Sequence, residues 1–218
     1  ISFWKFFSTY NATTIVTLNY DILVERALHQ VCSDGNVRPL FSYGGFPFRQ
    51  VVRKMTNVTT KAFEDVVLGT EYLIYKLHGS LNWAHELHST NMKVHDDVRA
   101  VFRTTNSVGV PAIVPPIPEK ELPEQFSRIW SQAAVELLSS EIWVVCGYSM
   151  PEYDEVLRDW FLTLTREGNV KRIAVLDPHS SSLLVRWNQS RRSGLEVRGF
   201  PGIPDALGDQ LADFISER

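Results

Sequence analysis

The sequence predicts an α/β protein with a mainly parallel sheet and helices on both faces. Three short apolar runs, at residues 14–18, 72–77 and 142–146, each end in small or polar residues. Parallel strands that are buried on both faces have this continuous apolar character, and ligands bind at their carboxyl ends. In the second half of the chain, strand and helix patterns alternate, which is typical of such a sheet. A hydrophobic content of 44% over 218 residues is enough for one sizeable core.

The first half of the chain combines two of these strands with less regular segments. Asp21 can cap a helix that runs to about Cys32, because apolar residues recur at helical spacing after it. Residues 38–70 mix a Gly-Gly-Phe-Pro turn with polar stretches, and residues 82–120 are polar and then proline-rich. Both segments are predicted to be variable insertions, with 82–120 forming a flexible loop or lid over a site. Proline excludes a helix at residues 111–118, so this part is predicted to be extended.

The second half of the chain carries a regular alternation of helices and strands. Apolar residues at a spacing of three and four predict the helices, and apolar runs bounded by turn residues predict the strands. The predicted helices cover residues 122–139, 153–166, 181–190 and 205–216, and the predicted strands cover 142–146, 172–176 and 195–198. Neither an internal repeat nor a low-complexity linker interrupts the sequence, which predicts a single domain over residues 1–218.

The charge of the chain argues against a nucleic-acid-binding protein. The formal net charge is −3, which provides no overall basic surface for a phosphate backbone. Arg186, Arg191 and Arg192 form a local basic cluster, and we expect them to lie at a solvated helix end. Nucleic acid is therefore not an expected partner.

Cysteine and histidine usage argues against a metal site. Cys32 and Cys146 are the only cysteines and do not form a Cys-x-x-Cys pair, so the chain cannot build a zinc ribbon. Cys146 lies in an apolar run and is predicted to be a core residue. His85, His88 and His95 lack a regular ligand spacing. Sparse cysteines and the lack of an 18-residue apolar run predict a cytoplasmic protein without a membrane span.

Polar and small residues that follow the apolar strands are the candidates for chemistry. They are Asn19 and Asp21 after the first strand, His78 and Gly79 after the second, Gly147 and Ser149 after the third, and Asp177 after the strand at 172–176. If these strands are neighbours, the residues share one pocket. Imidazole can exchange a proton at cellular pH, so His78 is the best acid/base candidate, and we expect it to face open space.

Each candidate also has a purely structural interpretation. Asn19 can be a turn residue, and helix capping alone explains Asp21. Residues 147–149 can form a turn that leads into a helix, and Asp177 can belong to an Asp-Pro turn. His78 can be a core imidazole bonded to a carbonyl group. The residue types therefore leave both interpretations open.

Three short motifs follow the predicted strands in a fixed order. They read Thr17-Leu-Asn19-Tyr-Asp21, Leu77-His78-Gly79 and Gly147-Tyr148-Ser149. In these motifs the chain resembles the sirtuin-like family of NAD-binding proteins. Tyr20, the run at 147–154 and the stretch from Val114 to Lys120 look most like the bacterial NAD-hydrolysing branch that serves anti-phage defence. The resemblance covers most of residues 13–178.

The resemblance implies a Rossmann-like fold and an enzyme that splits NAD into nicotinamide and ADP-ribose without a metal. The catalytic residues that it implies are His78 and Asn19, and the NAD-binding residues are Asp21, Gly79, Gly147, Ser149 and Asp177. It also implies an upstream strand with a Gly-rich turn that cradles the pyrophosphate. The chain contains no Gly-x-Gly, so we expect a piece of a longer protein that by itself binds NAD weakly and turns it over slowly or not at all.

Two other functions remain open at this point. A protein deacylase of the same fold would use an acyl-lysine as the acceptor instead of water, but the missing zinc cysteines count against it. A non-catalytic nucleotide-binding or assembly domain would fit the missing Gly-rich turn. In each case the expected partners include a fused sensor domain, a partner protein or a second copy of the chain.

Overall fold

The structure, a computed structural model, describes residues 4, 14–34, 40–45, 50–52, 71–85, 92–95, 98, 101, 110–115, 122–190, 192–202 and 208–216. Within these residues the protein is a mixed α/β structure with ten strands in three small sheets and five α-helices. No helix in this part of the chain is long and apolar enough to cross a membrane.

The strands and helices have the following bounds. The strands are β1 (Thr14–Thr17), β2 (Leu40–Tyr43), β3 (Gln50–Val52), β4 (Glu71–Lys76), β5 (Gly79–His85), β6 (Met92–Val94), β7 (Val110–Ile113), β8 (Ile142–Cys146), β9 (Arg172–Leu176) and β10 (Glu196–Phe200). The helices are α1 (Leu23–Asp34), α2 (Glu124–Ser139), α3 (Glu155–Glu167), α4 (Ser180–Trp187), which a 3₁₀ turn (Asn188–Ser190) extends, and α5 (Gly208–Ser216).

The described residues fall into two compact units. The first unit contains the residues up to Pro115 together with 122–133, and the second contains those from Ala134 onward. Helix α2 belongs to the first unit up to Ala133 and to the second unit beyond it. The single domain predicted over residues 1–218 stays a prediction, and the two units are described separately below.

The first unit contains a sheet with the strand order β1-β4-β2-β3. Strand β1 consists of four consecutive β-branched residues, which favour an extended backbone. Strands β1, β4 and β2 are parallel, and β3 is an antiparallel edge strand. Thr17 at the end of β1 pairs with Lys76 at the end of β4, so the segments that follow these strands begin at the same edge. The predicted parallel arrangement of these two strands is confirmed.

Three antiparallel strands form the second sheet of this unit, in the order β6-β5-β7. The structure thus contains regular strands at residues 82–85, 92–94 and 110–113, within the segment 82–120 that was predicted to be a loop or lid. Residues 86–91, 96–97, 99–100, 102–109 and 116–120 lie outside the described residues. Trp83, Val94 and Ala112 are buried in these strands. Ser80 and Asn82 are also buried, and they bond to each other. Strand β5 was therefore not predicted, because its polar residues Ser80 and Asn82 are typical of loops although they are hydrogen-bonded inside the protein.

The predicted insertion at 38–70 is described only in part. Strands β2 and β3 lie within it, and residues 38–39, 46–49 and 53–70 lie outside the described residues. Gly45, in the turn after β2, has a φ of 86°. A Cβ at this glycine would lie 2.5 Å from the Cα of Ile129, so the turn packs closely against helix α2.

The second unit contains the parallel sheet β10-β9-β8. Its core includes Trp143 on β8, Ile173 and Val175 on β9, and Leu183 and Trp187 on α4. The helices and strands predicted after residue 120 are all present, with ends shifted by up to three residues. This half is well predicted because each helix has a clear apolar stripe and each strand is a short apolar run.

One continuous sheet was predicted, but the described strands form three sheets. Strands β1 and β4 belong to a sheet of the first unit, while β8 and β9 belong to a sheet of the second. Asn19 and Gly147 consequently follow strands of different sheets. The apolar pattern of a strand indicates that it is buried but does not identify its partner, because pairing depends on residues that are distant in the sequence.

Candidate functional site

The loop that follows β1, residues 18–22, presents Asn19 at the surface. The backbone N–H of Asn19 donates to Thr17 Oγ1 at 3.1 Å, and the residue is exposed. The carbonyl oxygen of Tyr20 accepts from Leu81 N–H at 2.8 Å and from Ser80 Oγ at 3.1 Å. We call residues 18–22 the Asn19 loop. The contacts with Leu81 and Ser80 of strand β5 fix its backbone. The amide of Asn19 is left at the carboxyl edge of a parallel sheet, as the sequence predicted.

Asp21 holds the start of helix α1. Its Oδ1 accepts from Leu23 N–H at 2.9 Å, so the capping interpretation is confirmed. Its carbonyl oxygen accepts a hydrogen bond from the ammonium of Lys76. These contacts account for Asp21 as a structural residue, and a contact with NAD stays a prediction.

His78 lies in the turn between β4 and β5 and is covered by aromatic rings. Only 3% of the residue is exposed. The ring stacks on Tyr20 with centroids 6.1 Å apart, and the ring of Trp130 lies 6.4 Å away on helix α2. The expectation that His78 faces open space is wrong for this structure, because the two aromatic residues enclose the imidazole. Its contact with Tyr20 nevertheless places it beside the Asn19 loop.

Trp130 and Val114 fix the chain around His78. Trp130 Nε1 donates to the carbonyl oxygen of Leu77 at 2.8 Å, and Val114 N–H donates to the carbonyl oxygen of His78 at 2.9 Å. Trp130 lies 53 residues from Leu77 in the sequence. The enclosure of His78 therefore depends on a helix that no local pattern connects to this turn.

Gly79 is required by the packing of its own chain. Its φ is 84°, which L side chains rarely adopt. A Cβ at this position would lie 1.9 Å from the carbonyl oxygen of Ala112 on strand β7. Close approach of a neighbouring strand thus accounts for the glycine, and its predicted contact with NAD remains a prediction.

A buried ion pair that was not predicted from the sequence contacts the Asn19 loop. Lys76 Nζ and Glu25 Oε1 are 2.9 Å apart, and the two side chains are 0% and 1% exposed. The hydroxyl of Tyr43 donates to the same Glu25 oxygen at 2.8 Å. Burial, and then the charge of Glu25, hold the pKa of Tyr43 well above its ordinary value. Lys76 is the only charged residue of the apolar run 72–77. A lone charge in an apolar strand is the sequence feature that could have indicated a buried ion pair.

A second missed cluster supports the same loop from strand β5. Ser80 Oγ lies 2.6 Å from Asn82 Oδ1, and Asn82 Nδ2 donates to the carbonyl oxygen of His95 at 3.1 Å. Ser80 and Asn82 are two positions apart on a strand and therefore face the same side. Because Ser80 is fully buried and directed at Tyr20 and Asn82, it supports the loop from inside the protein.

In the second unit, Gly147 and Asp177 are brought together. They directly follow Cys146 and Leu176, which pair at the ends of the parallel strands β8 and β9. The N–H of Gly147 donates to the carbonyl oxygen of Leu176 at 3.2 Å. The predicted candidates of this unit therefore lie at one carboxyl edge.

The turn at residues 147–150 has an unusual backbone. Gly147 has a φ of 63°, and a Cβ at this glycine would meet no atom within 4 Å. Met150 has a φ of 49° although it is buried. Arg186 Nη1 donates to the carbonyl oxygens of Ser149 and Met150 at 2.9 and 2.6 Å. A positive φ at a residue other than glycine costs on the order of 1 to 3 kcal/mol, so the turn needs such support. Ser149 itself is exposed.

The arginine cluster is not a simple solvated helix end. Arg186 is half-buried and binds the turn at 149–150, and Arg192 Nη2 donates to the carbonyl oxygen of Val170 at 2.8 Å. Both guanidinium groups therefore serve the fold, which corrects the expectation for these two residues. Arg191 lies outside the described residues.

Asp177 has the contact expected of an Asp-Pro turn. Its Oδ1 accepts from His179 N–H at 2.7 Å, and its carbonyl oxygen accepts from Ser180 N–H at 2.9 Å. The carboxylate thus closes a tight turn just before helix α4, whose first residue is Ser180. A contact with an adenosine ribose is a prediction that this geometry neither requires nor prevents.

Cys146 is exposed, so its prediction as a core residue is wrong. The strand ends at this residue, and the turn beyond it opens toward solvent. The protein atoms packed around the thiol nevertheless raise its pKa to about 12, which keeps it protonated at neutral pH. A thiol in this state is a weak nucleophile.

The candidate residues form two groups, one in each unit. Asn19, Asp21, His78 and Gly79 lie at the carboxyl edge of β1 and β4, and Gly147, Ser149 and Asp177 lie at the carboxyl edge of β8 and β9. Among the described residues, which include His85 and His95 but neither His88 nor Asp96, no three acidic, histidine or cysteine side chains are grouped to hold a metal ion. Searches of family models and of curated proteins found no match to the chain.

Proposed function

We propose that the protein is the NAD-binding core of a sirtuin-like hydrolase that splits NAD into nicotinamide and ADP-ribose, with a role in anti-phage defence. The observation that carries the proposal is the fixed Asn19 loop. It presents one exposed amide at the carboxyl edge of a parallel sheet, beside His78. The order of the motifs around Asn19, His78 and Ser149 supports the same assignment.

The chemistry of NAD cleavage suits an amide at this position. Nicotinamide leaves from a cationic ring, so the reaction needs little acid catalysis and gains most from stabilising the positive charge that develops on the ribose. The amide of Asn19 can accept from a ribose hydroxyl and can also orient the attacking water. The loop bonds at Thr17 and Ser80 would hold this amide still during the reaction.

The role of His78 requires a movement of Tyr20. In the proposal, the imidazole binds the ribose hydroxyls next to the nicotinamide, but the ring of Tyr20 covers it. The carbonyl oxygen of Tyr20 accepts from Leu81 N–H at 2.8 Å, and the hydroxyl of Tyr20 donates to the carbonyl oxygen of Val114 at 3.2 Å. The half-buried side chain can therefore turn away while the backbone of the loop stays in place.

We expect Tyr20→Ala to expose His78. Diethyl pyrocarbonate should modify His78 at least about sixfold faster in this variant, because the wild-type ring covers the imidazole in most molecules. Mass spectrometry of the peptide that contains His78 measures the rate. Tyr153→Ala, at a tyrosine that is 64% exposed in the second unit, is the control and should change nothing. Equal rates in Tyr20→Ala and the wild type would show that Tyr20 does not cover His78 in solution.

The activity itself is tested by Asn19→Ala in the intact protein. We expect nicotinamide release to fall about 100-fold, which is the usual effect of removing one positioned polar group. The melting temperature should not change, because the side chain is exposed. Chromatography of NAD incubated with the protein measures the release, and Asn169→Ala, at an exposed asparagine of the second unit, is the matched control. Equal release from Asn19→Ala and wild type, or none from the wild type under any activating condition, would contradict the proposal.

A second candidate is a non-catalytic nucleotide-binding domain. The observation that favours it is the enclosure of His78, which in this state cannot touch a ligand. Calorimetric titration with NAD separates the two candidates. Binding that depends on Asn19 without any release of nicotinamide would identify a binding domain.

A further inference from the structure

The side chain of Lys76, on strand β4, contacts the Asn19 loop, which follows the neighbouring strand β1. Lys76 is the last residue of β4 and pairs with Thr17, the last residue of β1. Its ammonium donates to the carbonyl oxygen of Asp21 in the Asn19 loop and to Glu25 Oε1 in the first turn of α1. One side chain thus ties the loop and the helix that follows it to the adjacent strand.

The burial of this pair needs an explanation other than stability. Lys76 and Glu25 are 0% and 1% exposed, and removing two charges from water is costly. Apolar residues of similar volume would often stabilise such a site equally well. An ammonium differs from an apolar side chain in having three donors, which can bind a carbonyl oxygen and a carboxylate together. The pair can therefore fix one conformation of the loop, which an apolar side chain cannot do.

Glu25 is itself held from the other side. The hydroxyl of Tyr43, at the end of β2, donates to Glu25 Oε1 at 2.8 Å. Because the pKa of Tyr43 is raised, the phenol stays protonated and remains a donor. Glu25 Oε2 is buried and has no hydrogen-bond partner among the described residues. The donors Lys76 and Tyr43 therefore fix the carboxylate through its other oxygen, Oε1.

We propose that Lys76 and Glu25 are positioning residues, which hold the Asn19 loop in the conformation that presents Asn19 and which do not touch the substrate. The effect on catalysis rests on the proposed function, whereas the effect on the loop does not. The pair acts through the carbonyl oxygen of Asp21, two residues from Asn19. Loss of this contact should free the loop without unfolding the sheet, provided that no lone charge remains buried.

The test is the double variant Lys76→Met/Glu25→Gln, which removes both charges together. We expect it to melt within about 3 °C of the wild type, since no unpaired charge is left in the core. Amides of residues 18–22 should exchange with deuterium at least about tenfold faster. In the intact protein, kcat for nicotinamide release should fall at least about tenfold with a smaller change in KM, because the reacting geometry is lost.

Two variants serve as controls for this test. Lys171→Met/Glu141→Gln removes an ion pair of 2.7 Å in which the side chains are 62% and 59% exposed, and it should change neither exchange at 18–22 nor kcat. Glu25→Gln alone leaves the ammonium of Lys76 buried without a counter-charge, so this variant should melt clearly below the double variant. Equal melting of the two variants would contradict the pairing on which the proposal rests.

A folded double variant with unchanged exchange at 18–22 would overturn the proposal. Should the double variant not fold, exchange of the wild type in mild denaturant decides the question. The proposal expects the amides of Asn19 and Leu23 to open together with that of Arg26 in α1, and independent opening of the loop would refute it. If the wild type releases no nicotinamide, the function fails and the exchange result still tests the positioning role.

Discussion

Gly79→Ala is expected to unfold the first unit. The new Cβ would stand 1.9 Å from the carbonyl oxygen of Ala112 and 2.9 Å from its carbonyl carbon. These are backbone atoms of β7, so no side-chain rotation can relieve the overlap, and the φ of 84° adds strain of its own. Gly79 also pairs with Ile113, and the two strands would have to separate. We expect a loss of more than about 4 kcal/mol in the free energy of unfolding, which denaturant titration measures.

Gly147→Ala is the matched control for this variant. Gly147 also has a positive φ, of 63°, but a Cβ there would meet no atom within 4 Å. Only the backbone strain remains, at about 1 kcal/mol. Similar unfolding midpoints for the two variants would show that β7 does not lie against Gly79 in solution.

Lys76→Met alone is expected to destabilise the first unit nearly as strongly. The change leaves the carboxylate of Glu25 buried without its cation, and one of its oxygens already lacks a hydrogen-bond partner in the described structure. Removing one partner of a buried ion pair usually costs about 3 to 5 kcal/mol. Denaturant unfolding followed by tryptophan fluorescence measures the loss, since Trp83 and Trp130 are buried in this unit.

Lys171→Met tests whether burial of the ion pair causes the loss of stability expected for Lys76→Met. Lys171 forms an ion pair of similar length with Glu141, but both side chains are mostly exposed. Water and salt screen such a pair, so its loss should change stability little. An effect of Lys171→Met as large as that of Lys76→Met would contradict this account of the buried pair.

Much of the fold could be predicted from short-range patterns. Strands β1, β4, β8 and β9 are short apolar runs, and helices α2 to α5 have apolar stripes. Strand β5 was not predicted, because Ser80 and Asn82 look like loop residues although they bond to each other inside the protein. Strand β7 agrees with the extended backbone predicted from residue 111 onward. The division into separate sheets was not predicted either, since an apolar run carries no information about its partner.

The candidate site was predicted to a similar extent. Asn19 lies exposed after its strand as expected, and Gly147 and Asp177 follow paired strand ends. The cover over His78 depends on Trp130, which lies 52 positions further along the chain, and no local pattern reveals it. The same is true of Lys76 and Glu25, which are separated by 51 residues and meet only in the folded protein.

The covered state of His78 also sets a limit on ligand affinity. Turning the Tyr20 ring aside gives up its hydroxyl bond to Val114 and its ring contact with His78. At about 0.5 kcal/mol or more for each of these two contacts, the open form amounts to at most roughly one molecule in six. A ligand that needs the imidazole binds only this fraction, and its apparent dissociation constant is higher by the same factor. Affinity for such a ligand could therefore be improved at Tyr20 without changing any group that contacts it.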